Sequence, residues 1–147
     1  MTSPFGINYA KDAIVTKIRN RPQKPLVFIS GPYSVYKSRL HNFKETGKHA
    51  ETANTNIAMG FATLVMRQGG IPFIPHLTHF WHLQHPRDWE EWLVYDSYWL
   101  AHCDCLVRIE GESRGADAEC TLAQEMGLRI ITEEEVLNGF DFTRIFA

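Results

Sequence analysis

The sequence predicts an α/β domain, a parallel sheet flanked by helices. Three observations point there. Apolar runs short enough for strands alternate with longer segments of helical periodicity, the pattern of parallel strands joined by crossover helices. Leu26-Val27-Phe28-Ile29-Ser30 reads as a buried strand stopped by Gly31-Pro32. A Gly-containing loop, Ser113 to Glu119, lies between the apolar run Cys105–Ile109 and a helical pattern from Glu119 to Met126, which is where α/β proteins hold ligands.

The elements follow in order. Residues 1–24 are polar and basic toward their end (Lys17, Arg19, Arg21, Lys24), and read as an arm outside the core, with a short helix over Asp12–Arg19; residues 25–147 form the domain. Tyr33 to Lys48 is a polar loop carrying Lys37, Arg39, Lys44 and Lys48, with the length of a lid or binding loop. Ala50–Gln68 is a helix with Ala53, Ile57, Gly60, Phe61, Leu64 and Val65 on its inner face, ended by Gly69-Gly70. Ile71–Pro75 is a short strand whose prolines put it at a sheet edge or strand end. His76–Arg87 is a connection rich in His and aromatic residues. Asp88–Asp104 is a helix with Trp89, Trp92, Leu93, Trp99, Leu100 and Cys103 on one inward stripe. The strand Cys105–Ile109, the Glu119 helix and the strand Arg129–Ile131 come next. Thr132-Glu133-Glu134-Glu135 has the form of a capping box opening a last helix, and Phe140, Phe142 and Phe146 pack the tail back.

Composition narrows the function classes. A chain of 147 residues, 44% hydrophobic and 22% charged, suits one soluble domain with a real core. A net charge of −2 gives no reason to expect a nucleic-acid polymer as partner. No apolar run has the length of a membrane span, so no membrane partner is expected. The N-terminus lacks the apolar core of a signal peptide. Cys103, Cys105 and Cys120 are an odd set with two residues only two apart, a poor disulfide framework; a reducing cytoplasm is the expected compartment.

Two carboxylates are out of place. At about 100° per residue, Glu119 shares a helix face with Leu122, Ala123 and Met126. Asp96 interrupts the aromatic stripe of the preceding helix. A carboxylate on an inward face is costly without partners or a task. One such residue is as readily structural as functional. Two flanking one strand favour function, because paired carboxylates in one cleft are the equipment for cleaving a glycosidic bond.

The remaining motifs are weaker. Ser30-Gly31-Pro32-Tyr33 ends the first strand at the ligand edge, where Gly31 permits a close backbone approach. Ser113 and Gly115 offer a hydroxyl and amides to an anion at a helix N-terminus, with Arg114, Arg39 and Lys37 adding charge; the competing role for Ser113 is a turn cap. His76, His79, His82 and His85 recur every third residue, a spacing that drifts about 60° per step on a helix and does not converge on a metal. No metal site is expected there. His76, directly after a strand, is a candidate ligand contact, and the other three are expected at the surface or an interface. The aromatic surplus around the Asp96 helix suits a base-stacking wall or a subunit interface.

Taken together, Gly31-Pro32-Tyr33, the Asp96 helix ending in Cys103-Asp104, and Ser113-x-Gly115-x-x-x-Glu119 resemble the nucleoside 2-deoxyribosyltransferase superfamily, which includes nucleoside 5'-monophosphate N-glycosidases. The resemblance covers Pro25 to Thr132. It implies a single flavodoxin-like (Rossmann-like) domain. It implies that Glu119 attacks the anomeric carbon to form a glycosyl ester and that Asp96 assists beside it. Ser113, Gly115 and Ala116 would hold the 5' end, with Arg39 as a further partner. Gly31, Pro32, Tyr33 and His76 would line the sugar or base side. No metal or organic cofactor is implied, the partner is a small-molecule nucleoside or nucleotide, and a homo-oligomer is usual. Transferases of this superfamily often carry an acid six residues before the nucleophile. Ser113 stands there in this chain, as in the monophosphate hydrolases. Asp117 departs from the pattern, since it places a second acid near a phosphate site.

The expected activity is therefore release of a base from a (deoxy)nucleoside 5'-monophosphate. The alternatives are base exchange between nucleosides and a non-catalytic nucleotide-binding sensor.

Overall fold

The computed structural model of the chain describes residues 24–38, 40–41 and 43–147. The expected arm helix over Asp12–Arg19 and the side chain of Arg39 lie outside the described residues.

The fold is α/β and Rossmann-like. Four parallel strands, β1 (Leu26–Ser30), β4 (Ile71–Phe73), β5 (Cys105–Arg108) and β6 (Arg129–Thr132), stand in the order β4-β1-β5-β6. Parallel strands need long crossovers, and helices supply them. These are α1 (Lys48–Arg67), α2 (His79–Gln84), α3 (Trp89–Leu100) and α4 (Arg114–Glu125); a further helix, α5 (Glu133–Leu137), follows the last strand.

Strand alternation splits the core in two. Val27, Ile29, Cys105, Val107 and Ile131 face one side and pack against Ala58, Phe61 and Val65 of α1 and Val136 of α5. Phe28 and Leu106 face the other and pack against Leu100 of α3 and Ala123 of α4. Because β1 is flanked by β4, the next strand of this sheet in the chain, and by β5, the chain reverses its winding between β1 and β5. In doubly wound sheets the crevice at the carboxyl ends of two such strands is the ligand position.

The structure corrects several expectations. Tyr33–Lys48 is not a plain loop. It contains an antiparallel hairpin, β2 (Val35–Lys37) with β3 (Lys44–Thr46), preceding α1. The signal was Val35-Tyr36 facing Phe43, whose ring stands edge-on to Tyr36 at 6.3 Å. The last crossover helix begins at Arg114, not Glu119, so Gly115 and Ala116 lie within its first turn. The connection His76–Arg87 is mostly helical, a 3-10 turn over Pro75–Thr78 running into α2.

The aromatic stripe of α3 is not an inward face. Of that helix only Leu100 is buried, and Trp89 and Trp99 are each close to half exposed. Trp99 instead stacks on Phe73 of the edge strand, ring centres 5.4 Å apart. The tail returns as expected through Phe142, which is buried, and Phe140 beside it, while Phe146 stays exposed.

Other expectations hold. β4 is an edge strand carrying Pro72 opposite Val27. Gly69, with φ +94, follows the end of α1, where a β-carbon would lie 2.6 Å from Thr143 Cγ2. Thr132 and Glu135 close a capping box at α5. Among the described residues no helix is long and apolar enough to cross a membrane.

Candidate functional site

The carboxyl ends of β1 and β5 and the start of α4 meet at the reversal of winding. Ser30, the last residue of β1, faces the α3–α4 side, since it alternates with Ile29. Its hydroxyl donates to Glu119 Oε1 at 2.9 Å and lies 3.5 Å from the carbonyl of Ala116. Glu119 sits on the buried face of α4 and is 8% exposed. Asp96 comes from α3, the neighbouring helix, and its Oδ1 is buried without a hydrogen-bond partner among the described residues.

These two carboxyls are coupled. Burial pushes Asp96 up to about 7. Burial, and then the charge of Asp96, pushes Glu119 up to about 8, against the hydrogen bond from Ser30 and the positive charge of Arg108, which pull it down. Two carboxyl groups in one field do not both ionise readily. At neutral pH the pair therefore holds a proton between them. Ser30 and Arg108 draw Glu119 down, but burial and the charge of Asp96 outweigh them, and Glu119 holds its proton more tightly than Asp96.

Arg108 organises the loop before α4. One guanidinium nitrogen donates to the Ile109 carbonyl and the other to the Gly111 carbonyl and Asp117 Oδ1, both at 2.9 Å. Asp117, the departure from the family pattern, is thus already neutralised by a cation from β5. Neither Ser30 nor Arg108 was singled out from the sequence as a site residue. The available signal was a hydroxyl and a guanidinium closing apolar strands, each polar group requiring a partner when buried.

Ser113 takes the bland role as well as its expected position. It is the N-cap of α4, and its hydroxyl oxygen accepts the amide of Ala116 at 3.0 Å. Ala116 is therefore not free to offer its N–H to an anion. Among the described residues the amides of Arg114 and Gly115 have no protein partner. Gly115 lies under the indole of Trp89, and the Arg114 guanidinium stands 5.2 Å from that ring centre.

The other expected residues lie on the opposite side of the β1 end. A β-carbon on Gly31 would fall 2.9 Å from Ile109 Cβ, so glycine there answers packing against β5. Pro32 abuts Gly111, and its carbonyl meets His76 Nε2 at 3.0 Å. His76 is buried, and burial pushes its pKa down. His79, expected at the surface, is buried too, and its Nδ1 meets the Tyr33 hydroxyl. His82 Nδ1 accepts the indole N–H of Trp92 at 2.7 Å. Among the described residues no three His, Cys, Asp or Glu side chains converge as a metal cage.

A cavity of about 420 Å³ opens beside the hairpin. Pro32, Tyr36, Lys44, Asn54, Ile109 and Glu112 are among its walls, and neither Glu119 nor Asp96 is. Lys37 stands opposite Lys44 across the hairpin, a like-charge pair. Glu112 relieves it by bonding Lys44 Nζ at 2.7 Å. That bond and then the charge of Lys44, with a smaller share from Lys37, hold the Glu112 carboxyl below its usual range. The expected basic cluster is thus divided: Lys37 belongs to the hairpin, and Arg114 to the start of α4. Of the two places, we take the carboxylate pair as the candidate centre of chemistry, because its carboxyls are buried together, whereas the Glu112 carboxylate on the cavity wall is exposed and bound to Lys44.

Compared with protein-family models and with curated proteins, the chain matches none.

Proposed function

We propose that this protein cleaves the N-glycosidic bond of a (deoxy)nucleoside 5'-monophosphate by a covalent, retaining route. The observation that carries the reading is the pairing of Glu119 with Asp96 at the carboxyl edge of β1, in a field that leaves them one proton to share. Such a pair contains both groups the reaction needs, one ionised and one protonated.

In the first step the shared proton passes from Glu119 to Asp96, and the Glu119 carboxylate attacks C1'. The C1'–N bond breaks, its electron pair leaves with the base, and Asp96 delivers the proton. The product is a glycosyl ester on Glu119. In the second step Asp96, now ionised, takes a proton from water as the water oxygen attacks C1'. The ester bond breaks, and Glu119 and Asp96 return to their starting states. Ser30 holds Glu119 by its hydroxyl, and Arg108 supports the negative charge. The amides of Arg114 and Gly115, with the Arg114 guanidinium over Trp89, supply an anion-friendly start of α4 for the 5' end. Side chains perform every step.

Base exchange between free nucleosides is the second reading. It is favoured by Ser113, whose oxygen already caps Ala116 and is only in part available to a phosphate. Either way we place the enzyme in the cytoplasm. We assign the exposed rings of Phe80, Trp81, Tyr98 and Trp99 to assembly with further copies of the chain.

The test is a screen of ribo- and deoxyribonucleosides and their monophosphates for released base, run beside Glu119→Gln. Base release from monophosphates, lost by about 10³-fold or more in the variant while it stays folded, supports the reading. Release from nucleosides only moves the assignment to the second reading. Binding without release in the wild type makes the protein a nucleotide sensor.

A further inference from the structure

Asp96 stands near the middle of a helix that the sheet holds by one end. The last turn of α3 is fixed by Leu100, buried against Phe28 and Leu106, and by Trp99 stacked on Phe73. Leu100, Asp96 and Trp92 are spaced four residues apart, so they run along one side of the helix. Trp92 is half-buried, yet it joins neither of the two core clusters. Its cover comes from α2. The ring of Trp81 stands edge-on to Trp92 with centres 5.2 Å apart, and Trp81 and Trp92 each stand edge-on to Tyr95 at 5.7 Å.

One contact in this group is directional. The indole N–H of Trp92 donates to His82 Nδ1 at 2.7 Å, and the backbone amide of Arg87, between the two helices, points to the same nitrogen at 3.4 Å. An indole N–H only donates, so Nδ1 accepts and carries no hydrogen. Ring contacts tolerate sliding, whereas a hydrogen bond has a preferred line. The bond therefore sets how far α3 is rolled about its own axis, one turn before Asp96. A helix with its side chains is about 10–12 Å across, so a roll of about 10° carries a surface carboxyl about 1 Å. The reaction above uses neither His82 nor Trp92.

We propose that His82 and Trp92 are positioning residues for Asp96: their hydrogen bond fixes the roll of α3 and so places the Asp96 carboxyl beside Glu119. The effect on rate rests on the N-glycosidase reading, whereas the placing rests only on the pairing of the two carboxyls. Neither residue touches the reacting atoms. The pairing carries its own reporter. After burial, the charge of Asp96 is what raises the Glu119 carboxyl, so an Asp96 that has swung away raises it less.

The test combines base release from the four deoxynucleoside 5'-monophosphates with carbon-detected NMR titration of Glu119. Trp92→Phe keeps a ring and removes the N–H; His82→Ala removes the acceptor. Each should lower kcat/KM about 10- to 100-fold, chiefly in kcat, as a misplacement of about 1 Å does. Each should also let Glu119 titrate lower than in the wild type. The double variant should be no worse than the worse single, because both cut one bond. His82→Asn, whose side-chain oxygen accepts from the indole, should restore most of the rate and the wild-type titration. Slowed variants whose Glu119 titrates as in the wild type overturn the proposal, as do unchanged rates with unchanged titration, or costs that multiply in the double. If His82→Ala does not fold, Trp92→Phe and His82→Asn decide by the same criteria. If the wild type releases no base, the N-glycosidase reading has failed, and the titration alone is read. A lower Glu119 titration in Trp92→Phe then keeps the pair as what places Asp96, and an unchanged one overturns it.

Discussion

Ser30 and Glu119 are 89 residues apart in the chain and joined by one hydrogen bond of 2.9 Å. That bond ties the end of β1 to the second turn of α4. It is also one of only two influences drawing the Glu119 carboxyl back toward its ordinary range.

Removing it has a defined sign. Ser30→Ala deletes a donor to the ionised form, so Glu119 should titrate higher than in the wild type. Less of it is ionised at neutral pH. Base release near pH 7 should fall by about 10-fold, the scale of one hydrogen bond to a charged group. The rate optimum should move to higher pH. A pH–rate profile of folded Ser30→Ala checks both.

Asp96→Asn should remove the proton donor and the charge together. Base release should drop by about 10²–10⁴-fold, the usual contribution of a positioned acid or base. Glu119 should titrate lower than in the wild type, because the charge raising it is gone. Carbon-detected NMR titration of Glu119 in the two proteins measures the change. An unchanged Glu119 titration would separate the two residues and sink the pairing.

Stability should also depend on the pair. Both carboxyls hold protons more tightly folded than unfolded. Their stabilising effect is complete below ordinary carboxylate values, about 4. It is lost as pH rises through the folded values of about 7 and about 8. The wild-type melting temperature should therefore decline across that window. Glu119→Gln should flatten the decline, which thermal unfolding at stepped pH reports.

Gly31→Ala should destabilise the fold without touching the carboxylates. The added carbon meets Ile109 Cβ at 2.9 Å, on a branched residue of the core with no room to retreat. Overpacking of this kind costs about 1–3 kcal/mol, and chemical denaturation measures it.

How much of this was legible depends on the range of each interaction. Strand, helix and cap signals are local, and the four strands, α1, the edge position of Pro72 and the Thr132 capping box follow from them. Glu119 and Asp96 were legible because each breaks an apolar periodicity. The hairpin was not, because only Val35, Tyr36 and Phe43 mark it and its flanking lysines read as loop. The partner of Glu119 was not, because Ser30 is a neighbour only after the sheet has formed. The periodicity of α3 gave a stripe but not its direction, since Trp89 and Trp99 alternate no differently whether they face a core or solvent. Ser113 was legible as a helix start, yet its two roles share one oxygen and the sequence does not apportion it.

Synthesis proceeds from one end, and the winding of the sheet gives that a consequence. Among the described strands β1 emerges first, but β5, its neighbour on one side, is separated from it by two crossovers. The hydroxyl at the end of β1 finds its acceptor only when the Glu119 turn is out of the ribosome. A nascent chain halted before that turn contains three strands of the sheet, the hairpin and the helices α1 to α3, Asp96 among them, but not Glu119. Such a chain carries the Asp96 carboxyl without its neighbour, and the two carboxyls come together only when α4 docks on the sheet.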